Sequence, residues 1–433
     1  MAEGKDAARA AHHHDHVHAA HAHGAPMSTP KGRKDVGLMS KLAIFGGEPV
    51  RNAPFARWPV FDDRERAALN EVLESGLWGG YSPKVHDFEQ AFAEFHQTTC
   101  GVTAANGTVT LETALAAAGI KAGDEVIVPP ISFIATATAV LRLGALPVFA
   151  DIHEDTCNLD PERIVEAITP RTRAIIPVHF AGQPADMDAI TEIAQRHDLI
   201  LIEDCAHAHG ATWRGQKVGS FGDFGSFSFQ ASKNMTAGEG GILITSDEAL
   251  AEQARSICNQ GRKTGGGWYE HVRLGTNFRL TGWQAALLLV QLARLPEQLE
   301  RRDANAKFIT EQLRQSDMIT TLVTDERVTR HAHYLFMLRL NLSENPGVTK
   351  ERFVAALNAE GIPCAAGYPH PLYRNQVFES YAHHRAPCPS AEQMCLDTFW
   401  ISHEILLAEQ RDLEDFTSAL MKVRSEIHEL ERV

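Results

Sequence analysis

The run Leu199-Ile200-Leu201-Ile202-Glu203-Asp204 decides the fold, because four aliphatic residues closed by two acids read as a buried strand with charge at its carboxyl end. Working outward, β-rich runs at 126–128, 147–150, 174–178, 225–229 and 242–245 alternate with amphipathic helices. Such alternation predicts an α/β fold whose central sheet is mostly parallel and covered by helices. Parallel strands point one way, so their carboxyl ends gather along one edge, where open α/β folds bind ligands. Asn106, Pro129, Asp151, His179, Asp204 and Phe229 are expected to face that crevice.

On the amino side, Asp62 opens a helix with apolar Ala68, Leu69, Val72 and Leu73 at three-to-four spacing, and Gly76 ends it. On the carboxyl side a long helical stretch over 283–312, with Pro296 as a kink point, leads into a strand at 334–340 and a helix at 350–360. Three parts are therefore expected: a His-rich tail or expression leader over 1–41, a large domain over 42–300 and a smaller C-terminal α/β domain over 301–433. The tail carries His12, His13, His14, His16, His18, His21 and His23 among alanines. Clustered imidazoles can bind divalent ions, but a leader ahead of a start at Met27 or Met39 is the reading adopted, and no metal site is expected in the folded part.

Composition excludes several function classes. The formal charge is −14, with no basic block longer than Lys31-Gly32-Arg33-Lys34, so nucleic acid is not an expected partner. The most apolar stretch, 285–292, is too short to span a bilayer. Seven scattered cysteines without a C-x-x-C pair argue against a disulfide scaffold or zinc ribbon and for a reducing, cytoplasmic setting.

Chemistry gathers around Lys233, which ends Ser228-Phe229-Gln230-Ala231-Ser232-Lys233 ahead of Gly238-Glu239-Gly240-Gly241. A lysine forms a Schiff base only when unprotonated, and Phe227, Phe229, Met235 and Ala237 offer apolar cover. Glu203 and Asp204 leave their strand on opposite faces, so one of them faces the crevice. An acid there can pair with a pyridinium nitrogen and keep the ring an electron sink; Asp204 would also serve as the N-cap of a helix from Ala206. Ala105-Asn106-Gly107-Thr108 precedes a helix-like run over 111–118, and a helix start attracts phosphate. Ser228 adds a hydroxyl, Phe133 an aromatic face and His207 an imidazole near the same edge. Together these groups are what pyridoxal 5'-phosphate (PLP) requires.

The series Ile202-Glu203-Asp204-Cys205-Ala206-His207-Ala208-His209-Gly210-Ala211, Gly222-Asp223-Phe224-Gly225-Ser226-Phe227-Ser228-Phe229, Lys233 with its glycines, and Gly275-Thr276-Asn277-Phe278-Arg279-Leu280 resembles the DegT/DnrJ/EryC1/StrS aminotransferases from Leu42 onward. The resemblance implies a fold-type I PLP enzyme that works as a homodimer with shared active sites. It implies that Lys233 binds the cofactor covalently, that Asp204 pairs with its ring nitrogen and that Phe133 stacks on the ring. By the same token Gly107, Thr108 and Ser228 hold the phosphate, Asn277 reaches it from the partner subunit and His207 lies beside the cofactor. The wording is most similar to the branch that aminates keto-cyclitols such as scyllo-inosose from glutamine or glutamate in antibiotic pathways. Alternatives within the scaffold are a 3-amino-5-hydroxybenzoate synthase, a nucleotide-sugar aminotransferase and a dehydratase; outside catalysis, a PLP-binding regulator. For the donor and the keto acceptor, Arg262, Tyr269, Arg279 and Tyr368 are the candidate contacts, and Gly265-Gly266-Gly267 suggests a closing loop.

Overall fold

Helix α1 (Asp63–Ser75) begins where the sequence places it. Asp62 accepts from the Arg64 amide, Glu65 reaches back to the Asp62 amide in a capping box, and Gly76 closes the helix in the left-handed region at φ 68°. Helix α2 (Pro83–Phe95) presents Val85, Phe88 and Phe92 to the interior and leads into the first strand. The computed structural model describes residues 41–432; the His-rich segment and its two readings lie outside the described residues.

The strands are β1 (Cys100–Ala104), β2 (Glu125–Val128), β3 (Leu146–Phe149), β4 (Thr172–Ile175), β5 (Ile200–Asp204), β6 (Thr212–Trp213), β7 (Gln216–Lys217), β8 (Phe224–Ser228), β9 (Gly241–Thr245), β10 (Ile319–Thr321), β11 (Val328–Arg330), β12 (Leu335–Leu340), β13 (His384–Arg385) and β14 (Thr398–Ser402). Eight of them form the central sheet in the order β1-β9-β8-β5-β4-β2-β3-β13. Only β9 runs against the rest, pairing antiparallel with both β1 and β8. The α/β architecture with a large, mostly parallel sheet is therefore as expected, and β1 is a strand the sequence reading did not include. A three-stranded antiparallel sheet, β10-β12-β14, forms a second layer with its own core of Phe353, Phe399, Phe416 and Leu420.

The helix Gly282–Leu313 joins the two cores. Leu288, Leu295 and Leu299 pack with Phe88 and Phe229, whereas Ala306, Ile309 and Leu313 pack with Phe353 and Phe416. It continues through Pro296 as one helix of 32 residues, so a division at residue 300 falls inside a continuous element. The chain also crosses that division elsewhere. Leu42 packs in the C-terminal core, Arg51 binds Asp412 and Asp415 at 2.7 and 2.8 Å, and β13 adds a strand to the central sheet. Among the described residues the two cores accordingly belong to one compact unit.

Candidate active site

Seven of the eight central strands share a direction, so the carboxyl ends of β1, β5 and β8 lie on one edge. From β1 the chain turns through Asn106 into α3 (Gly107–Ala117), and the Asn106 side chain accepts from the Thr108 and Val109 amides at 3.1 and 3.0 Å. A Cβ at Gly107 would stand 2.6 Å from the Ser228 Cβ; glycine is what lets the helix start meet the end of β8.

Glu203 and Asp204 take opposite sides, as strand alternation requires. Glu203 turns into the protein, where it accepts from the amides of Gly219, Phe221 and Gly222 and from His179 Nε2. His179 Nδ1 accepts the Ala185 amide at 3.0 Å, which leaves its proton on Nε2. Cys205 lies near this pair, but the Glu203 oxygens and both His179 nitrogens are already spent on hydrogen bonds, so the trio is structural. Asp204 faces the crevice. It accepts from Thr136 Oγ1 at 2.8 Å and from the Ala206 amide at 3.2 Å, and Thr136 is in turn 2.8 Å from Ser132 Oγ. Burial raises the Asp204 pKa against these two bonds and the nearby Lys233 charge.

Lys233 ends the loop after β8. Its amide donates to the Gln230 carbonyl at 2.9 Å, and its Nζ lies 4.3 Å from the centre of the Tyr334 ring. His207 stacks on the same ring at 4.2 Å, and its buried Nδ1 has no partner among the described residues. The alternative in which Asp204 caps a helix from Ala206 does not hold: residues 205–211 make tight turns, with Gly210 at φ 74°. His207 therefore reaches the site from a turn, and Asp204 caps no helix.

A cavity of about 690 Å³ brings together Gly107, Thr108, Phe133, Asp204, His207, Ser228 and Lys233. Asn106 also lines it, whereas Asp151, His179 and Phe229 do not: Asp151 holds the Ser390 and Ala391 amides, and Phe229 is buried beneath the loop. Nor do Arg262, Tyr269, Asn277, Arg279 or Tyr368 line it. Arg262 binds the Tyr81 hydroxyl at 2.9 Å, Arg279 binds Asn259 Oδ1 at 2.9 Å, and Asn277 bridges to Asn259 across the backbone. Tyr368 lies 6.2 Å from the Phe180 ring, and burial pushes its hydroxyl pKa up. Sequence reasoning missed Thr136 and Tyr334; a hydroxyl four residues after Ser132 was the one signal for the former.

The aminotransferase model named DegT/DnrJ/EryC1/StrS matches residues 59–415. The chain belongs to the DegT/DnrJ/EryC1/StrS aminotransferase family. This aminotransferase is 39% identical over 420 residues to an L-glutamine:2-deoxy-scyllo-inosose aminotransferase of Micromonospora echinospora, covering 90% of this chain and all of the relative. Among solved structures it is similar to a 3-amino-5-hydroxybenzoic acid synthase, with TM-score 0.82 and 36% identity over 87% of this chain and all of the other. An Escherichia coli GDP-4-keto-6-deoxy-D-mannose-3-dehydratase with bound hydrated PLP matches at TM-score 0.78 and 25% identity, covering 85% and 99% of the two chains. PLP is the cofactor of this aminotransferase. The residues present fit it: a buried acid, a reachable lysine, an unpartnered imidazole nitrogen and a glycine-opened helix start share one cavity. Among the described residues, no helix is long and apolar enough to cross a membrane.

Proposed function

We propose that this aminotransferase carries an amino group from L-glutamine to the ring ketone of a cyclitol of the scyllo-inosose type, in secondary-metabolite biosynthesis and in the cytoplasm. The observation that carries the site assignment is the convergence of Asp204, Lys233 and His207 on one cavity beside the start of α3. The cavity lining on this chain contains one Lys and no Arg, with the imidazole of His207 and the acids Asp204 and Glu239. On this chain's side of the site that composition suits the hydroxyls of a neutral polyol. Gln230, Ser232 and Ser132 supply hydroxyl and amide partners for a polyhydroxylated ring.

When bound, PLP supplies an aldehyde for the amine and an electron sink for the carbanion. Asp204 would hold the proton on the ring nitrogen, Gly107, Thr108 and Ser228 the phosphate, and Phe133 and His207 the two sides of the ring. Lys233 would hold the cofactor covalently, and its Nζ would serve as the general base for the donor Cα proton. The site is read as completed in a homodimer, with the partner's Asn277 at the phosphate and the partner's Arg262, Tyr269 and Arg279 toward substrate. That none of them lines the cavity of its own chain supports this. An aromatising 3-amino-5-hydroxybenzoate synthase is the second reading, favoured by the TM-score of 0.82 to such an enzyme. Incubating the PLP-loaded protein with scyllo-inosose and L-glutamine separates them. An amino-cyclitol in the mass spectrum, with glutamate as donor giving less, is expected; its absence overturns the cyclitol assignment.

A further inference from the structure

Behind the lysine loop stands a buried cation with no direct ion pair among the described residues, Glu404 being an acid that acts on it through space. Arg302, on the inner face of the helix Gly282–Leu313, is 0% exposed, and its Nε and Nη1 have no hydrogen-bond partner among the described residues. Burying a guanidinium in this way is costly in desolvation, so it needs a role. Its one hydrogen bond runs from Nη2 to His403 Nδ1 at 3.0 Å. His403 follows β14 and is 1% exposed, and its Nε2 lies 2.9 Å from the Ser232 carbonyl, next to Lys233. A guanidinium only donates, so His403 Nδ1 must accept; the ring proton then sits on Nε2 and donates to Ser232. Trp58 packs edge-on against His403 at 4.5 Å and donates from Nε1 to the Ala231 carbonyl at 3.0 Å. Tyr334 adds its hydroxyl to Ser232 Oγ at 2.9 Å.

We propose that Arg302 and His403 are positioning residues for Lys233: Arg302 fixes the His403 tautomer, and His403 pins the Ser232 carbonyl so that the lysine leaves the loop toward the cofactor cavity. Without Arg302 the proton can sit on Nδ1, which turns an Nε2 lone pair onto the Ser232 oxygen and releases the loop. The inference rests on the assignment of Lys233 to PLP, but its primary readouts need no cofactor. In the apo full-length protein, ¹⁵N NMR is expected to show His403 with its proton on Nε2 alone. Arg302→Met should yield mixed tautomers, faster hydrogen exchange over residues 229–236 and PLP retention weakened about tenfold, with no fall in melting temperature because a buried charge without a direct ion pair is removed. His403→Leu should loosen the same segment. His403→Gln, whose amide can accept from Arg302 and donate to Ser232, should restore wild-type exchange. If Arg302→Met misfolds, the His403 pair carries the test, since both variants retain the arginine. A lower melting temperature with unchanged exchange at 229–236, or a proton on Nδ1 in the parent protein, overturns the proposal. Failure of the PLP assignment would instead show as an unchanged spectrum in Lys233→Ala.

Discussion

Two neighbouring acids divide the labour at the end of β5, and their environments say why. Glu203 is held by three amides and a histidine, whereas Asp204 has two hydrogen bonds and faces the cavity. Because burial raises the folded pKa of Asp204 above the ordinary 3.8, the unfolded chain releases this proton at lower pH than the folded one does. Asp204 therefore costs stability in the apo protein, a cost that begins as pH rises past the unfolded value and is complete above the folded one. Asp204→Asn removes it, since the Thr136 hydroxyl can turn to accept from the amide and donate to Ser132. The apo variant should melt higher than the parent at neutral pH, with the difference vanishing below about pH 4, while turnover drops by roughly 10²-fold or more. Lys233→Ala should abolish the visible absorbance of lysine-bound PLP, checked by titrating the apo protein with the cofactor. Adjacency and alternation made this pair legible in the sequence. Which acid faced inward was legible only through the family resemblance, because it depends on the amides of Gly219, Phe221 and Gly222, contributed by a loop about 16 to 19 residues away.

At the scale of elements, the start of α3 is the tightest joint in the site. Gly107→Ala would drive its new methyl into Ser228, 2.6 Å away, and the helix end must shift to relieve it. Such overpacking costs about 1–3 kcal/mol, and PLP affinity should fall with it; chemical denaturation and cofactor titration measure the two effects. A variant with unchanged cofactor affinity would remove this joint from the phosphate assignment. The neighbouring cap is independent of that clash: Asn106→Ala strips the acceptor from the Thr108 and Val109 amides and should cost about 1 kcal/mol. Elements set by local signals, such as α1 with its capping box, were readable. Those set by neighbours were not. β1 carries Gly101 because a Cβ there would come 2.5 Å from the Glu89 carbonyl oxygen of α2, and that glycine weakens the strand pattern. The residues after Asp204 look helical by composition, but the Cys205 amide bonds to Ser226 and the His209 ring binds the Ser228 carbonyl. These contacts hold the segment in turns.

For the whole molecule, several large apolar side chains stand exposed. Trp268, Tyr269 and Leu274 are 82%, 74% and 95% exposed, and Phe133, at the cavity wall, is 60% exposed. Exposed aromatic patches of this kind mark protein contacts, and Asn277 and Arg279 belong to the same stretch of chain as the first three. One sequence does not say whether Arg262 or Arg279 serves the cavity of its own chain, because their contacts are set by the fold; the structure puts both at Tyr81 and Asn259 instead. If each active site takes Lys233 from one subunit and Asn277 from the other, Lys233→Ala and Asn277→Ala homodimers are each impaired at both sites. A heterodimer of the two carries both lesions in one site and none in the other. Unfolding and refolding an equal mixture should therefore recover about a quarter of wild-type turnover, the share expected from random pairing in a twofold dimer. Recovery no greater than the average of the two parents would mean that Asn277 acts within its own chain or not at all.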